Sequence, residues 1–378
     1  MILSCLQENL ARGLNIVGRA VSTRSTLPVL GNVLLETDNG RLKLSATNLE
    51  IVVTCWIGAK VEEEGAITVP HRTLNDLVST LPQEPVNIEL NVPNQTLHVT
   101  CGRTEANVKG IDAQEFPLIP QPEQENRIRL ETDVFKKMIS QVALAAAVDD
   151  SRPTLTGVSI SFEGSHMLMV ATDGFRLSMK SASIPGIVES PMTLIVPAKA
   201  LLELARISND DNDAIYISIP EGRNQIIFDM ENVVLVSQLI DGNFPDYTPI
   251  VPDSSNTRTV MGTAESRKAC KTAEIFARES SHTARVRIEP SGSDFGTGFA
   301  TVTANSVETG DNVAQIDASV DGEAIEIAFN VKYMTDVLNV IDTPQVALET
   351  TNPMEPGVIK PVGDNDFVHI IMPMHFGR

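Results

Sequence analysis

The side chains that could do covalent or metal chemistry in this chain are six histidines, four cysteines and two tight carboxylate clusters. His71, His98, His166, His282, His369 and His375 never fall at the spacing that lets two imidazoles share a metal. Cys5, Cys55, Cys101 and Cys270 are scattered and form no C-x-x-C pair, the usage of a reducing cytoplasm. The run Asp210-Asp211-Asn212-Asp213 lacks the glycine and closing glutamate of a calcium loop and reads as a solvated turn. Asp149-Asp150 stands where a helix is expected to end, a mildly unfavourable place for anions, with no sign of a metal. No G-x-x-x-x-G-K-[ST], strand-led G-x-G-x-x-G, H-E-x-x-H or G-x-S-x-G occurs. The chain is expected to catalyse nothing and to need no metal or cofactor.

Recognition chemistry is better represented. Residues 172–177 (TDGFRL) set a bulky Phe175 and the cation Arg176 just after a turn dipeptide; a simple hairpin turn explains the pattern equally well. The chain closes on an apolar stretch with Met372, Pro373 and Met374, where flexible thioethers could line an adaptable groove or complete a last core strand.

Internal repeats supply the elements that must position these groups. AITVP at 66–70, followed by a helical pattern, recurs as TLIVP at 193–197 and as EIAFN at 326–330. LKLSATN at 42–48 recurs as LMVATD at 168–173 and ATVTAN at 300–305, and IDAQEFP at 111–117 as IDGNFP at 240–245. The spacing of 125 to 133 residues divides the 378 into three units, 1–124, 125–254 and 255–378, joined by polar turn-forming linkers at 120–126 and 252–256. Each unit reads as a helix, alternating strands, a second helix led by Pro or Asn, and more strands. The fold class is therefore α+β: three similar tandem domains, each with two helices on one face of antiparallel sheet. Helices are expected at 7–24, 70–81, 132–148, 197–208, 264–279 and 330–341.

Composition bounds the partners. With 29 Lys+Arg against 49 Asp+Glu the net charge is −20, hydrophobic residues make up 42% and aromatics only 4%. The cores must be aliphatic, and −20 at first argues against polyanions. The expected helices carry thirteen cations and eight anions, however, a net +5 that leaves −25 for everything else. Helices tolerate Lys and Arg well in any case, but such segregation also suits a helical surface facing a polyanion. No apolar run of 18 residues predicts a membrane span, and the N-terminal stretch lacks the basic region of a signal peptide.

Taken together, 24–30 (RSTLPVL), 152–158 (RPTLTGV), 172–177 (TDGFRL), 239–247 (LIDGNFPDY) and the terminal Met372-Pro373-Met374 make the whole chain resemble the bacterial sliding clamps, the beta-subunit family of DNA polymerase III. The resemblance implies a clamp fold in which two chains form a head-to-tail, six-domain ring, with helices lining a hole threaded by double-stranded DNA. It implies a homodimeric, cytoplasmic processivity factor. Through linear motifs it would dock the DNA polymerase III catalytic subunit, the clamp loader, other polymerases and repair proteins.

Carried over by position, the peptide pocket would use Leu155, Thr172, Gly174, Arg176, Leu177, Pro245, Ile250, Ile370 and Met372, with Met374 in the terminal strand. DNA contacts would come from Arg24, the 149–152 loop with Arg152, and the helix cations Lys136, Lys137, Lys199, Arg267, Lys268 and Lys271. The dimer contact would set Ile275 and Phe276 of one chain against the strand bearing Ala106 and Val108 of the other. Ala106 stands where the family often has an aromatic, Pro249 where some members have a cation, and Phe175 at a variable position. Two other readings stay open at this level. A carbohydrate-binding array would need surface aromatics, against one Trp and three Tyr, and an acid–base enzyme would need converging carboxylates.

Overall fold

A computed structural model describes residues 1–22, 27–121, 127–208, 214–220, 222–291 and 298–374. Arg24, the 210–213 acidic run, residues 122–126 of the first linker, and His375 lie outside them.

The three repeats share one element order, except that in the second two long strands stand where the others have four shorter ones. The first runs β1 (Ile2–Leu6), α1 (Gln7–Val17), β2 (Asn32–Asp38), β3 (Arg41–Thr47), β4 (Ile51–Glu63), β5 (Ala66–Pro70), α2 (His71–Thr80), β6 (Pro85–Asn91), β7 (Thr96–Cys101) and β8 (Thr104–Lys109). The second is β9 (Ile128–Glu131), α3 (Thr132–Val142), β10 (Gly157–Thr172), β11 (Arg176–Pro197), α4 (Ala198–Ile207), β12 (Ala214–Ser218), β13 (Gln225–Met230) and β14 (Val233–Gln238). The third is β15 (Thr257–Gly262), α5 (Thr263–Ala277), β16 (Thr283–Glu289), β17 (Gly298–Ser306), β18 (Gly310–Gly322), β19 (Ile325–Asn330), α6 (Val331–Leu338), β20 (Gln345–Thr350), β21 (Gly357–Pro361) and β22 (Phe367–Ile371).

Pairing between strands of different repeats gathers the chain into two compact units, 1–132 with 203–239 and 133–202 with 240–378. The first contains a sheet in the order β8-β7-β6-β1-β4-β14-β13-β12-β9. The start of β4 pairs antiparallel with β14, Val52 opposite Val236 and Val53 opposite Leu235, so repeat one runs into repeat two without a break. The second unit runs β10-β11-β22-β21-β20-β15-β18-β17-β16-β19. There the start of β11 pairs with β22, Leu177 opposite Ile370 and Ser178 opposite His369.

Helices form where apolar residues recur at helical spacing, and they bury that face against sheet. On α1, Leu10, Leu14 and Val17 are fully buried, as are Leu74 and Val78 on α2, and the two helices pack on β2–β5 and on each other. In the third repeat α5 offers the small Ala269, Cys270, Ala273 and Ala277 to the same core as Val337 and Leu338 of α6. Small side chains let α5 lie close to the sheet, and truncating a large one such as Leu10 to Ala would cost about 2–5 kcal/mol.

Helix ends depart from the sequence expectation. The pattern at 7–24 predicts one helix, but α1 stops at Val17 and continues only as a 3-10 turn, Gly18–Ala20. The His71 ring, whose Nε2 lies 2.9 Å from the Leu14 carbonyl, packs against Gly18, where a Cβ would meet it at 2.6 Å. The alanine run at 143–147, a strong helix former, leaves α3 for a 3-10 turn and then extended chain. Its alanines are largely buried, and the Ala147 N–H donates instead to the Leu155 carbonyl at 2.8 Å. Asn330 caps α6 as its type suggests, its Oδ1 accepting from the N–H groups of Lys332 and Tyr333.

Candidate functional site

The 172–177 segment is a hairpin tip built by side-chain hydrogen bonds. Asp173 Oδ1 accepts from the N–H groups of Phe175 (2.9 Å) and Arg176 (3.0 Å). The Thr172 hydroxyl donates to the Arg176 carbonyl at 2.7 Å and accepts from the Gly174 N–H at 3.0 Å. Gly174 sits at φ +92°, which a side chain would strain, so Thr-Asp-Gly is what this turn needs. Thr172 is buried and works as part of this scaffold, whereas Gly174 and Phe175 are exposed, Phe175 at 62%. From outside the hairpin, Arg152 Nη1 donates to the Asp173 carbonyl at 2.9 Å.

Beside the tip lies an apolar cluster drawn from four distant segments. Val170, Leu177, Val358 and Ile370 are buried, with Leu168, Met179, Phe244, Tyr247, Ile250, Val251 and Val368 half-buried against them. The pairing of β11 with β22 puts Leu177 next to Ile370, and the Met372 N–H reaches the Phe175 carbonyl at 2.9 Å. The 240–251 segment covers one flank, with Phe244 edge-on to Tyr247 at 6.4 Å between ring centres. Leu177, Ile250 and Ile370 belong to this cluster and Met372 is tied by its backbone to the tip, with Leu155 half-exposed and Pro245 and Pro249 exposed in the segments around them. Met374 is held elsewhere: its N–H donates to the Ala328 carbonyl at 2.8 Å and its sulfur accepts from the Thr283 hydroxyl. Sequence reading missed Val170, Phe244, Tyr247 and Val358: long-range sheet packing brings in Val170 and Val358, and the irregular 240–251 segment brings in Phe244 and Tyr247.

Arg176 is not a free cation. Only 9% exposed, its Nε donates to Asp173 Oδ2 at 3.0 Å and its Nη1 to Asp336 Oδ2 of α6 at 2.8 Å. Its guanidinium lies 4.2 Å from the centre of the Tyr333 ring, another residue the sequence did not single out. Beneath the cluster His369 is fully buried and its Nδ1 meets the Ser178 hydroxyl at 2.6 Å. Burial, helped by the nearby Arg176 charge, pushes its pKa down to about 3, so it is neutral.

The helix cations differ in availability. Lys199, Lys268 and Lys271 are exposed and, among the described residues, form no ion pair. Lys137 lies 3.5 Å from Asp342, and Lys136 is half-buried. Arg267 is turned inward: its Nε donates to the Leu338 carbonyl at 2.9 Å and its Nη2 to that of Ile341 at 3.3 Å. It satisfies carbonyls at the end of α6, where helical partners run out.

At the expected dimer contacts, β8 ends its sheet and carries half-buried Ala106 and buried Val108, both on the face shared with Val99 and Leu97. On α5, Ile275 is 54% exposed and Phe276 half-buried, and on β18 Val313 is 66% exposed. β15 pairs with β18 only at 318–322, so among the described residues the 311–317 stretch has one unpaired edge. No helix among the described residues is long and apolar enough to cross a membrane.

Comparison with known proteins agrees along the whole chain. Family models of the DNA polymerase III beta subunit match its N-terminal domain at residues 1–120, its central domain at 129–246 and its C-terminal domain at 248–375. The beta sliding clamp of Bacillus subtilis (strain 168) is 31% identical over 379 residues, covering 97% of this chain and 98% of that protein. That of Staphylococcus aureus (strain Mu50) is 30% identical over 370 residues, 96% of each. A crystal structure of the DNA polymerase sliding clamp from Bacillus subtilis superposes with a TM-score of 0.92 at 30% identity, covering 100% of both chains. The DNA polymerase III beta subunit from Pseudomonas aeruginosa gives 0.90 at 28% identity, again with 100% of both covered. With three α+β repeats in the right order and relatives matched from end to end, the chain belongs to the DNA polymerase III beta-subunit family of bacterial sliding clamps.

Proposed function

We propose that two copies of this chain close head to tail into a ring of six domains around duplex DNA. The ring tethers the replicative polymerase without catalysing any step itself. One observation carries the reading. Both repeat junctions inside the chain use the same joint, in which the strand after the second hairpin position pairs with the last strand of the following repeat, β4 with β14 and β11 with β22. The third repeat has the first half of that joint, the edge of β18 that is unpaired among the described residues. The first repeat has the other half, the outer edge of β8.

The internal registers predict how the halves meet. Val52, opposite Thr47, pairs with Val236; Leu177, opposite Thr172, pairs with Ile370. Asp311, opposite Asn305 on the face turned away from the helices, is their counterpart, and Asn107 takes the place of Val236 on β8. Antiparallel pairing then sets Asp311 against Asn107 and Asn312 against Ala106. That covers the exposed Val313 and brings Ile275 and Phe276 of α5 to the seam. The small Ala106 side chain leaves room there for them.

Retention on DNA is then topological, and exposed cations such as Lys199, Lys268 and Lys271 need supply only weak, salt-screened contacts that permit sliding. The cluster around Leu177, Ile250, Ile370 and Met372 accepts apolar anchors of linear motifs on the polymerase catalytic subunit, clamp loader, other polymerases and repair proteins. Tethering raises the polymerase's effective concentration at the primer end. The setting is the cytoplasm. After loading by a clamp loader, protein should stay on circular plasmid and leave when one cut linearises it. Equal retention on both forms overturns topological linkage.

A further inference from the structure

The pocket's one buried cation is already satisfied from within the chain, by a helix on the far side of the hairpin. We infer that Asp336 of α6 is a positioning residue for the peptide pocket. It clamps Arg176 so that the hairpin tip and Met372 keep the shape that receives a partner, and Arg176 acts as part of the wall rather than as a receptor for acidic groups. This rests on the pocket reading above.

The geometry carries the argument. Arg176 spends Nε on Asp173 and Nη1 on Asp336, two carboxylates on separate elements, while the Tyr333 ring lies against its guanidinium plane. Planar two-point bonding of this kind fixes orientation as well as charge. The Arg176 carbonyl takes the Thr172 hydroxyl, and the neighbouring Phe175 carbonyl takes the Met372 N–H, so the same residues hold the turn and the terminal strand together. Asp336 is in turn steadied by Lys332, whose Nζ lies 3.2 Å from both its oxygens. With its charge balanced, Arg176 has little electrostatic attraction left for a ligand.

The test uses the full-length protein and a fluorescent peptide from the clamp-binding segment of a DNA polymerase III catalytic subunit. Asp336→Asn should weaken peptide binding at least fivefold with solution mass unchanged, and Asp336→Glu should recover most of the loss. Arg176→Lys keeps the charge but not the two-point geometry and should also lose at least fivefold; a free-cation role predicts near-normal binding instead. Independently of any peptide, the Arg176 guanidinium nitrogens should give NMR signals of restricted rotation, lost in Asp336→Asn. Unchanged affinity in Asp336→Asn, or full binding by Arg176→Lys, overturns the proposal. Absence of peptide binding by the unaltered chain overturns the pocket reading and the proposal with it, whatever the arginine signals show.

Discussion

The predicted seam is open to a chemical test with a built-in control. Directly opposed residues of an antiparallel pair hold their Cβ atoms about 4.5–5.5 Å apart, and a disulfide needs about 3.5–4.5 Å, a gap that small strand motions close. Asn312 opposes Ala106 in the register inherited from the two internal joints, so a chain carrying Ala106→Cys and Asn312→Cys should cross-link to its partner. Moving one cysteine by a single position, Ala106→Cys with Val313→Cys, puts the thiols on opposite faces of the sheet and should not. The native thiols do not compete, since all four cysteines are buried. Burial pushes Cys5 and Cys270 up to about 12 and Cys55 to about 11. At pH 8 no more than about one in 10³ of those three is thiolate, against about a quarter of an exposed thiol with pKa near 8.5. Mild oxidation followed by non-reducing electrophoresis should show the 106/312 protein at twice 40.9 kDa or larger and the 106/313 protein at 40.9 kDa. Equal cross-linking of the two would refute the register, and no cross-linking of either would refute the joint.

Other consequences follow from the same structure. Replacing half-exposed Met372 by Glu places a charge beside the Leu177–Ile370 cluster and should cut polymerase-peptide affinity more than tenfold in a fluorescence titration, with solution mass unchanged. Lys199→Gln, Lys268→Gln and Lys271→Gln each remove an exposed cation that has no ion pair among the described residues; each that meets a phosphate should shallow the salt slope of DNA binding by about 0.9. His369 is neutral in the fold, with its pKa lowered from 6.5 to about 3, so its contribution is complete above pH 6.5 and lost as pH falls from there towards 3. Below pH 6.5 it should steepen the decline of stability by up to about 1.4 kcal/mol per pH unit. Chemical denaturation of His369→Gln between pH 7 and 4 should show the flatter dependence, and an unchanged slope would rule out this histidine as the cause.

Much of the architecture was legible because it is written three times. A strand ending in Pro or Asn and opening a helix recurs at one spacing, and local propensity agrees with it, so six helices could be named from the sequence. The hairpin at 172–177 was legible too, since Thr-Asp-Gly carries its own turn chemistry. Helix ends were less so: the 143–147 alanines favour helix locally and lose it to burial and a hydrogen bond to the Leu155 carbonyl, contacts that no neighbouring residue encodes. The pocket was only half visible. Family likeness pointed to Leu177, Ile370 and Met372, but Val358, Tyr247 and Tyr333 come near them only because segments far apart in sequence pack side by side.

The sequence by itself determined the repeat, the aliphatic cores and the segregation of charge, since these depend on residue type and local spacing. Tertiary structure decided what each charge is for. Arg176 and Arg267 look like free cations in a list of residues, yet the fold spends one on two carboxylates and the other on helix carbonyls, leaving Lys199, Lys268 and Lys271 facing solvent. Charge can be counted along a chain, but whether a cation is available depends on which partners the fold brings within about 3–4 Å of it.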